Sequence, residues 1–204
     1  MLKAMRRPGT RESNLQLLQR FREKVPGAAL RSSFIVGYPG ETEAQFDELL
    51  SFFEAAQLDR VGVFTYSQES LTPSGSLEGQ VDDSVKQQRQ QRAMQLGASI
   101  SAGRLKQRVG STVQVLVERP ARSADAMQGK DGLEHGSSPG QSPAKKAWLR
   151  KGSDLWVGRT QYDAPDIDGK VYFTPAQALP KPGDFVSVRI EQSTDHDLVG
   201  EMLA

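Results

Sequence analysis

The segment from Ser33 to Phe53, SFIVGYPGETEAQFDELLSFF, places the strongest constraint on the fold of this chain. An apolar run ends in a turn of two glycines, a proline and an acid, and apolar residues at helical spacing follow directly. Thr42 and Gln45 have the spacing of a capping box, which marks the start of the helix. A second apolar run, VGVFTY, extends from Val61 to Tyr66. This order predicts two neighbouring parallel strands joined by a right-handed crossover.

The sequence on either side predicts two more helices, and it extends the first apolar run towards its N-terminal end. Ser13 and Gln16 have capping-box spacing, and Pro26 would follow the end of that helix. Its apolar residues share one face: Leu17, Leu18, Phe21 and Val25. The run from Leu30 to Val36 is interpreted as a buried strand. A long polar helix is predicted from Asp82 to Val109, and its thin apolar face favours a link between domains over a core element.

After this helix the pattern is all β. The runs TVQVLVE, VYFT, FVSVRIEQ and DLVGEML are divided by turn residues and predict four to five short strands in a small, OB-like barrel. Small and polar residues dominate 120–153, where we expect a long disordered insertion. The alternative is a contact arm, because the insertion combines positive charge with an aromatic ring. Its candidate contact residues are Lys145, Lys146, Trp148, Arg150 and Lys151.

Composition excludes several kinds of chemistry. A net charge of +1 over 204 residues argues against a generally basic nucleic-acid binder. The sequence contains no cysteine, so it offers no disulfide, thiol nucleophile or thiolate metal ligand. His135 and His196 lack ligand spacing, so no metal site is expected. No apolar run reaches the length of about 18 residues that a membrane span needs, and the basic start lacks a signal-peptide core. We therefore expect a cytoplasmic protein with no membrane partner.

Three stretches could contact a ligand. The turn from Gly37 to Glu41 lies where a strand ends, and its glycines let backbone approach a ligand closely. Glu41 either complements the dipole of the following helix or orders a ligand-facing loop. Tyr66 follows the next strand and either stacks on a planar base or is a half-buried tyrosine with a satisfied hydroxyl. The arginines at the start of the chain are either solvated or capture a carboxylate. These arginines are Arg6, Arg7 and Arg11.

These stretches, in this order, resemble the radical S-adenosylmethionine methylthiotransferases, most closely the RimO-type branch that modifies an aspartate of a ribosomal small-subunit protein. The similarity is carried by LKAMRRPGTRE, SSFIVGYPGETEAQF, DRVGVFTYSQE, GRTQYDAPDIDGKVYF and PGDFVSVRIEQSTDHDLVG. It implies the last part of an open (β/α) barrel at 1–80, a linking helix at 81–109 and a TRAM β-barrel at 110–204. The family uses S-adenosylmethionine and two cysteine-held [4Fe-4S] clusters to install a methylthio group.

The resemblance also implies site residues and a limit on activity. In this family the ends of the fifth and sixth barrel strands line the adenosine side of the cofactor. The matching positions here are Ile35, Gly37, Gly40, Glu41, Phe64 and Tyr66. Because the cluster cysteines are missing, no cofactor is expected to bind this chain strongly, and we expect no catalysis unless a partner chain supplies the other half.

Charge suggests which partner the TRAM region prefers. Residues 159–204 contain four basic and eight acidic residues, a net charge of −4. Such a surface should attract a basic ribosomal protein and repel RNA. The alternative is that these acids only build turns, where aspartate is favoured. Two rival interpretations of the whole chain stay open. One is a stand-alone TRAM binding module, and the other is a nonfunctional remnant with an aggregation-prone strand edge.

Overall fold

The computed structural model describes residues 1–122 and 155–204, and the chain divides into two compact units, Met1–Ile100 and Ser101–Ala204. The predicted insertion at 120–153, with its candidate contact arm, lies almost entirely outside the described residues. Within the described ranges, the elements in chain order are α1 (Arg11–Lys24), β1 (Arg31–Val36), α2 (Glu43–Ala56), β2 (Arg60–Thr65), α3 (Asp83–Lys106), β3 (Thr112–Pro120), β4 (Trp156–Thr160), β5 (Val171–Thr174), β6 (Phe185–Ser193) and β7 (Leu198–Met202). The predicted fold class, α/β followed by a small β-barrel, is confirmed.

The first unit contains the predicted strand–helix–strand arrangement. Strands β1 and β2 are parallel and in register, with Val36 opposite Thr65. Helix α2 begins with the predicted capping box, in which Thr42 and Gln45 bond each other's backbone. One face of the two strands packs against α2 and α3. The buried core on that face consists of Val36, Phe46, Phe53, Val63 and Ala93.

Two local predictions in this unit were wrong. Helix α1 is capped by Thr10, because Ser13 occupies the third helical position and exchanges hydrogen bonds with Thr10. Strand β1 is not buried on both faces, since its burial alternates and only Val36 is fully enclosed. The side chains between Arg31 and Ile35 alternate between exposed and partly covered, which is the pattern of a strand covered on one face.

Helix α3 was predicted to link domains, and it also contributes to the core of the first unit. Ala93 is fully buried in the core of the first unit, and Met94, Leu96 and Ile100 pack around that core. Gly97 lets the helix approach β2 closely, because a Cβ there would lie 3.1 Å from Cβ of Val61. Small residues thus compensate for the thin apolar face that the sequence shows.

The second unit is a closed five-stranded barrel in the order β3-β4-β5-β7-β6. Neighbouring strands are antiparallel except β5 and β7, which are parallel. Strand β4 was missed in the sequence, because it directly follows the polar insertion and Gly158 and Arg159 interrupt its apolar run. Closure leaves the barrel without a free edge. Its core includes Val115, Val117, Phe173, Val188 and Ile190, all fully buried. None of the helices in the two described ranges is both long and apolar enough to cross a membrane.

Candidate functional site

The carboxyl edge of strands β1 and β2 brings two of the predicted stretches together. We define this edge as the turn from Gly37 to Glu41 together with Tyr66. The backbone N–H of Tyr66 donates to the carbonyl of Val36 at 2.8 Å, which extends the sheet pairing to the edge. The rings of Tyr38 and Tyr66 meet edge to face, with their centroids 5.3 Å apart. The predicted adjacency of the turn and Tyr66 therefore exists in the structure.

The two glycines of the turn share a backbone conformation but differ in their surroundings. Both have positive φ, +76° at Gly37 and +78° at Gly40, a conformation that favours glycine. A Cβ at Gly37 would lie only 2.3 Å from Cγ of Lys86, so the side chain of Lys86 fills the space above it. At Gly40 a Cβ would meet no heavy atom within 4 Å. The N–H of Gly40 instead donates to the carbonyl of Gly79 at 2.8 Å.

Glu41 is buried and holds the turn in shape. Its Oε2 accepts a hydrogen bond from the backbone N–H of Gly37 at 2.7 Å and another from Nη1 of Arg89 at 2.8 Å. Arg89 also donates to the backbone carbonyl of Glu41 at 3.1 Å. Both side chains are more than nine-tenths buried. Of the two interpretations of Glu41, these contacts favour a carboxylate that orders the loop.

Helix α3 supplies a row of cations to this region, which the sequence analysis missed. Lys86, Arg89 and Arg92 recur every three residues and therefore lie along one side of the helix. Arg92 donates to Glu43 at 2.5 Å and to Asp47 at 3.3 Å. The Arg92 hydrogen bond lowers the pKa of Glu43, and Glu43 in turn raises the pKa of Arg92. The signal available in the sequence was this spacing of cations together with acids at the start of α2.

Lys86 and Tyr66 form a second polar corner at the same edge. The Lys86 ammonium lies 2.9 Å from Oδ1 of Asp83 and 5.8 Å from the centroid of the Tyr66 ring. The Tyr66 hydroxyl is buried, and among the described residues it has no hydrogen-bond partner. The Tyr38 hydroxyl, in contrast, donates to the carbonyl of Ala4 at 3.3 Å.

Ile35 and Phe64 lie on the open face of the two-stranded sheet. They are direct partners across β1 and β2, so their side chains share one face. They are 47% and 55% exposed, whereas Phe34 and Val63, the next pair along, pack into the core on the opposite face. Parallel sheets are almost always covered on both faces. The face with Ile35 and Phe64 is therefore an apolar surface suited to a covering ligand or chain.

The structure does not bring the three predicted arginines to one point of this edge. Arg6 and Arg7 are exposed, and Arg6 has a positive φ of 54°. The Arg11 guanidinium donates to Oγ of Ser51 at 3.3 Å, in the third turn of α2. The bond from Tyr38 to the Ala4 carbonyl nevertheless ties the start of the chain to the edge.

Several acids of the barrel stabilise turns. Three carboxylates accept backbone N–H groups of nearby residues 2.7–3.1 Å away: Asp163 from Thr160, Asp168 from Ala164 and Asp184 from Lys181. Asp197 instead accepts from the N–H of Lys170, 27 residues earlier, at 2.9 Å and so links the turn between β6 and β7 to the start of β5. Three of the eight acids in 159–204 thus build turns, as one of the two interpretations predicts. Their negative charges still contribute to the electrostatic potential around the barrel.

Comparison with known proteins agrees with the sequence motifs. A family profile described as "TRAM domain" matches residues 150–203. Proteins named "Ribosomal protein uS12 methylthiotransferase RimO" are similar over the whole chain. The relative from Desulforamulus reducens is 40% identical over 202 residues, covering 99% of this chain and 39% of the relative. The relative from Cellvibrio japonicus is 42% identical over 200 residues, covering 98% of this chain and 37% of the relative.

The chain spans about two fifths of the length of these relatives. The resemblance to the RimO-type branch of the methylthiotransferases is confirmed by them. The chain is therefore homologous, over its whole length, to a stretch of the RimO-type methylthiotransferases and contains a TRAM domain.

Proposed function

We propose that this chain is part of an enzyme that methylthiolates an aspartate of a ribosomal small-subunit protein by radical S-adenosylmethionine chemistry. Its first unit contributes one wall of the cofactor site, and its TRAM barrel docks the protein substrate. The observation that carries the proposal is the match, at about 40% identity over the whole chain, to proteins named for this reaction. Since ribosomes are assembled in the cytoplasm, the proposal places the chain there.

The carboxyl edge fits one side of an adenosine. A rigid turn of two positive-φ glycines lies beside two aromatic rings, and Ile35 and Phe64 offer an apolar face next to it. Bound S-adenosylmethionine would supply the radical, while this chain's residues would bind the adenosine and exclude water. One wall gives little affinity, because a small ligand usually needs most of its surface buried.

The residues present do not fit an iron–sulfur cluster. Such clusters are held by cysteine thiolates, and this sequence contains none. The cluster ligands must therefore come from another polypeptide or from a longer form of this one. By itself, the chain is expected to be inactive.

The barrel is proposed to dock a basic protein rather than RNA. Although three of its eight acids build turns, the range 159–204 keeps a net charge of −4. RNA binding draws its affinity from cations that neutralise phosphates, which this surface has in deficit. Ribosomal proteins are basic, so electrostatic steering favours them.

Anaerobic reconstitution tests the proposal. The chain is incubated with S-adenosylmethionine, reductant, iron, sulfide and the ribosomal protein, alone and together with a chain made of the part of the Desulforamulus reducens relative that this chain does not match. We expect no product from the chain alone and a mass gain of one methylthio group in the mixture. The full-length relative serves as the positive control. If the full-length relative gives product while the mixture gives none, the proposal that a separate partner chain can supply the missing half fails.

The binding of methylthioadenosine, monitored by NMR, tests the proposed wall of the cofactor site. Phe64→Ala should weaken binding, whereas Phe185→Ala, an equally conservative loss of an exposed phenylalanine on the barrel, should not. Equal effects of the two substitutions would contradict the assignment of Phe64 to the wall.

A second candidate is a stand-alone binding module. It is favoured by the closure of the barrel around its own buried core, which needs no other chain to complete it. A pull-down with the ribosomal protein in the absence of any cofactor tests it. If reversing the charge of the acidic residues in 159–204 abolishes this binding, the result would support this candidate.

A further inference from the structure

We propose that the ammonium of Lys86 and the hydroxyl of Tyr66 form a carboxylate-binding subsite at the carboxyl edge of the first unit. The inference rests on the proposed function, in which two ligands carry carboxylates. One is the amino-acid end of S-adenosylmethionine, and the other is the aspartate to be modified. The chemistry they share is a planar oxyanion that accepts two hydrogen bonds.

Lys86 is a buried cation with too little compensation. Only 7% of the residue is exposed, and its ammonium has three hydrogen-bond donors. The acceptor that the described residues give it is Asp83, whose side chain is 87% exposed. An exposed partner contributes little, whereas burying an ammonium is costly unless it is well paired. This position therefore favours an additional anion.

The neighbouring charges leave Lys86 as the cation without a buried counter-ion. Arg89 is matched by the buried carboxylate of Glu41, which also accepts from Gly37. Arg92 is matched by Glu43 and Asp47. An incoming carboxylate at Lys86 would thus break no existing buried ion pair.

The Tyr66 hydroxyl supplies the second donor. It is buried, and within the described part of the chain it has no hydrogen-bond partner. A buried polar group without a partner in a native structure calls for a missing water, ion or ligand. The Tyr38 hydroxyl shows the contrast, because it has a partner in the carbonyl of Ala4.

The backbone fixes both donors at one corner. The stem of Lys86 fills the space above Gly37, so the ammonium cannot move freely away from the edge. The Tyr66 N–H is bonded to the carbonyl of Val36, the residue before Gly37. The ammonium already lies over the Tyr66 ring, 5.8 Å from its centroid, which also orients it.

NMR titrations of the chain with two nucleosides test the subsite. S-adenosylhomocysteine carries the amino-acid carboxylate, and methylthioadenosine lacks it. Since a charge-assisted hydrogen bond is stronger than a neutral one, we expect S-adenosylhomocysteine to bind about tenfold more tightly. Lys86→Met keeps the stem over Gly37 and should abolish this preference. Tyr66→Phe removes only the hydroxyl and should reduce it, whereas Lys24→Met, at an exposed lysine, should preserve it.

A second pair of probes separates the two carboxylate sources. Short peptides from the substrate protein are compared with aspartate and with asparagine at the modified position. If the aspartate peptide binds more tightly than the asparagine peptide, and Lys86→Met removes this difference, the subsite belongs to the substrate. If only the preference for S-adenosylhomocysteine over methylthioadenosine depends on Lys86, the subsite belongs to the cofactor.

Failure of the subsite and failure of the cofactor wall give different results. If methylthioadenosine binds but neither carboxylate probe gains affinity through Lys86, the subsite is overturned and the wall stands. If methylthioadenosine does not bind while the aspartyl peptide binds through Lys86, the subsite stands and the wall is overturned. The absence of any carboxylate-dependent response in the unmodified chain also overturns the subsite.

Discussion

The guanidinium of Arg89 donates to the carboxylate of Glu41 across 2.8 Å, and both side chains are buried. These residues are 48 positions apart, so the bond joins α3 to the turn after β1. Glu41 passes this restraint to the N–H of Gly37 at 2.7 Å. The turn is therefore held in shape by the protein's own contacts before any ligand arrives.

Arg89→Met should destabilise the first unit strongly. It leaves the Glu41 carboxylate buried without its partner, and breaking a buried ion pair on one side costs about 3–5 kcal/mol. Urea unfolding followed by far-UV circular dichroism measures the loss. Tryptophan fluorescence does not report on this unit, because both tryptophans, Trp148 and Trp156, lie in the second.

The double variant Arg89→Met with Glu41→Gln provides the control. Neutralising the orphaned carboxylate should recover part of the stability, so the double variant should be less destabilised than the sum of the two single variants. Strict additivity would show that the pair does not act as a unit.

Gly37→Ala and Gly40→Ala should differ although their backbone conformations match. Both substitutions strain a positive φ, which costs about 1–3 kcal/mol. Only at Gly37 would the new methyl also collide with the stem of Lys86, 2.3 Å away. Gly37→Ala should therefore be the more destabilising of the two by urea unfolding. Equal losses would mean that Lys86 can move aside without cost.

Glu43 should contribute to stability in a pH-dependent way. Its hydrogen bond from Arg92 lowers its pKa in the folded chain below the ordinary value of 4.5. The contribution is therefore fully present above pH 4.5 and is lost as the pH falls through the lowered folded-state pKa.

The stability difference between the natural chain and Glu43→Gln should be measurable at neutral pH and should shrink as the pH falls below 4.5. Urea unfolding at a series of pH values measures it. Arg92→Met should remove most of the same pH-dependent difference. A difference that persists unchanged at low pH would contradict the assignment.

Phe173→Ala should destabilise the barrel by about 3–5 kcal/mol, because its ring is fully buried in the core. Phe185→Ala is the matched control, since Phe185 is 74% exposed and its loss should cost less than about 0.5 kcal/mol. Fluorescence of Trp156, which pairs with Phe173 across β4 and β5, reports unfolding in a Trp148→Phe background. Similar losses for both variants would contradict the burial that the structure gives them.

The sequence predicted the elements whose signals are local. The capping box of Thr42 and Gln45 marked α2 correctly, and alternation revealed four barrel strands. At α1, Thr10 and Ser13 could both cap a helix, and the choice depends on which hydroxyl faces the first free N–H groups. Strand β4 was missed because it lies beside a polar insertion and its apolar run is interrupted by Gly158 and Arg159.

Only part of the candidate site could be predicted from the sequence, and the reason is physical. Gly37, Glu41 and Tyr66 could be placed at one edge, because parallel strands end together. Arg89 and Lys86 could not, since they reach that edge from a helix more than 40 residues away in sequence, and helical propensity says nothing about what a helix face contacts. The roles assigned to the predicted ligand residues remain predictions.

The hydrogen bond from the Ala121 N–H to the Leu155 carbonyl, 2.7 Å long, closes the base of the connection between β3 and β4. The pairing of Pro120 with Trp156 and of Arg119 with Val157 continues the ladder of β3 and β4 up to this bond. The register of the two strands is therefore fixed by their own backbone contacts, right up to the point where the chain leaves the barrel.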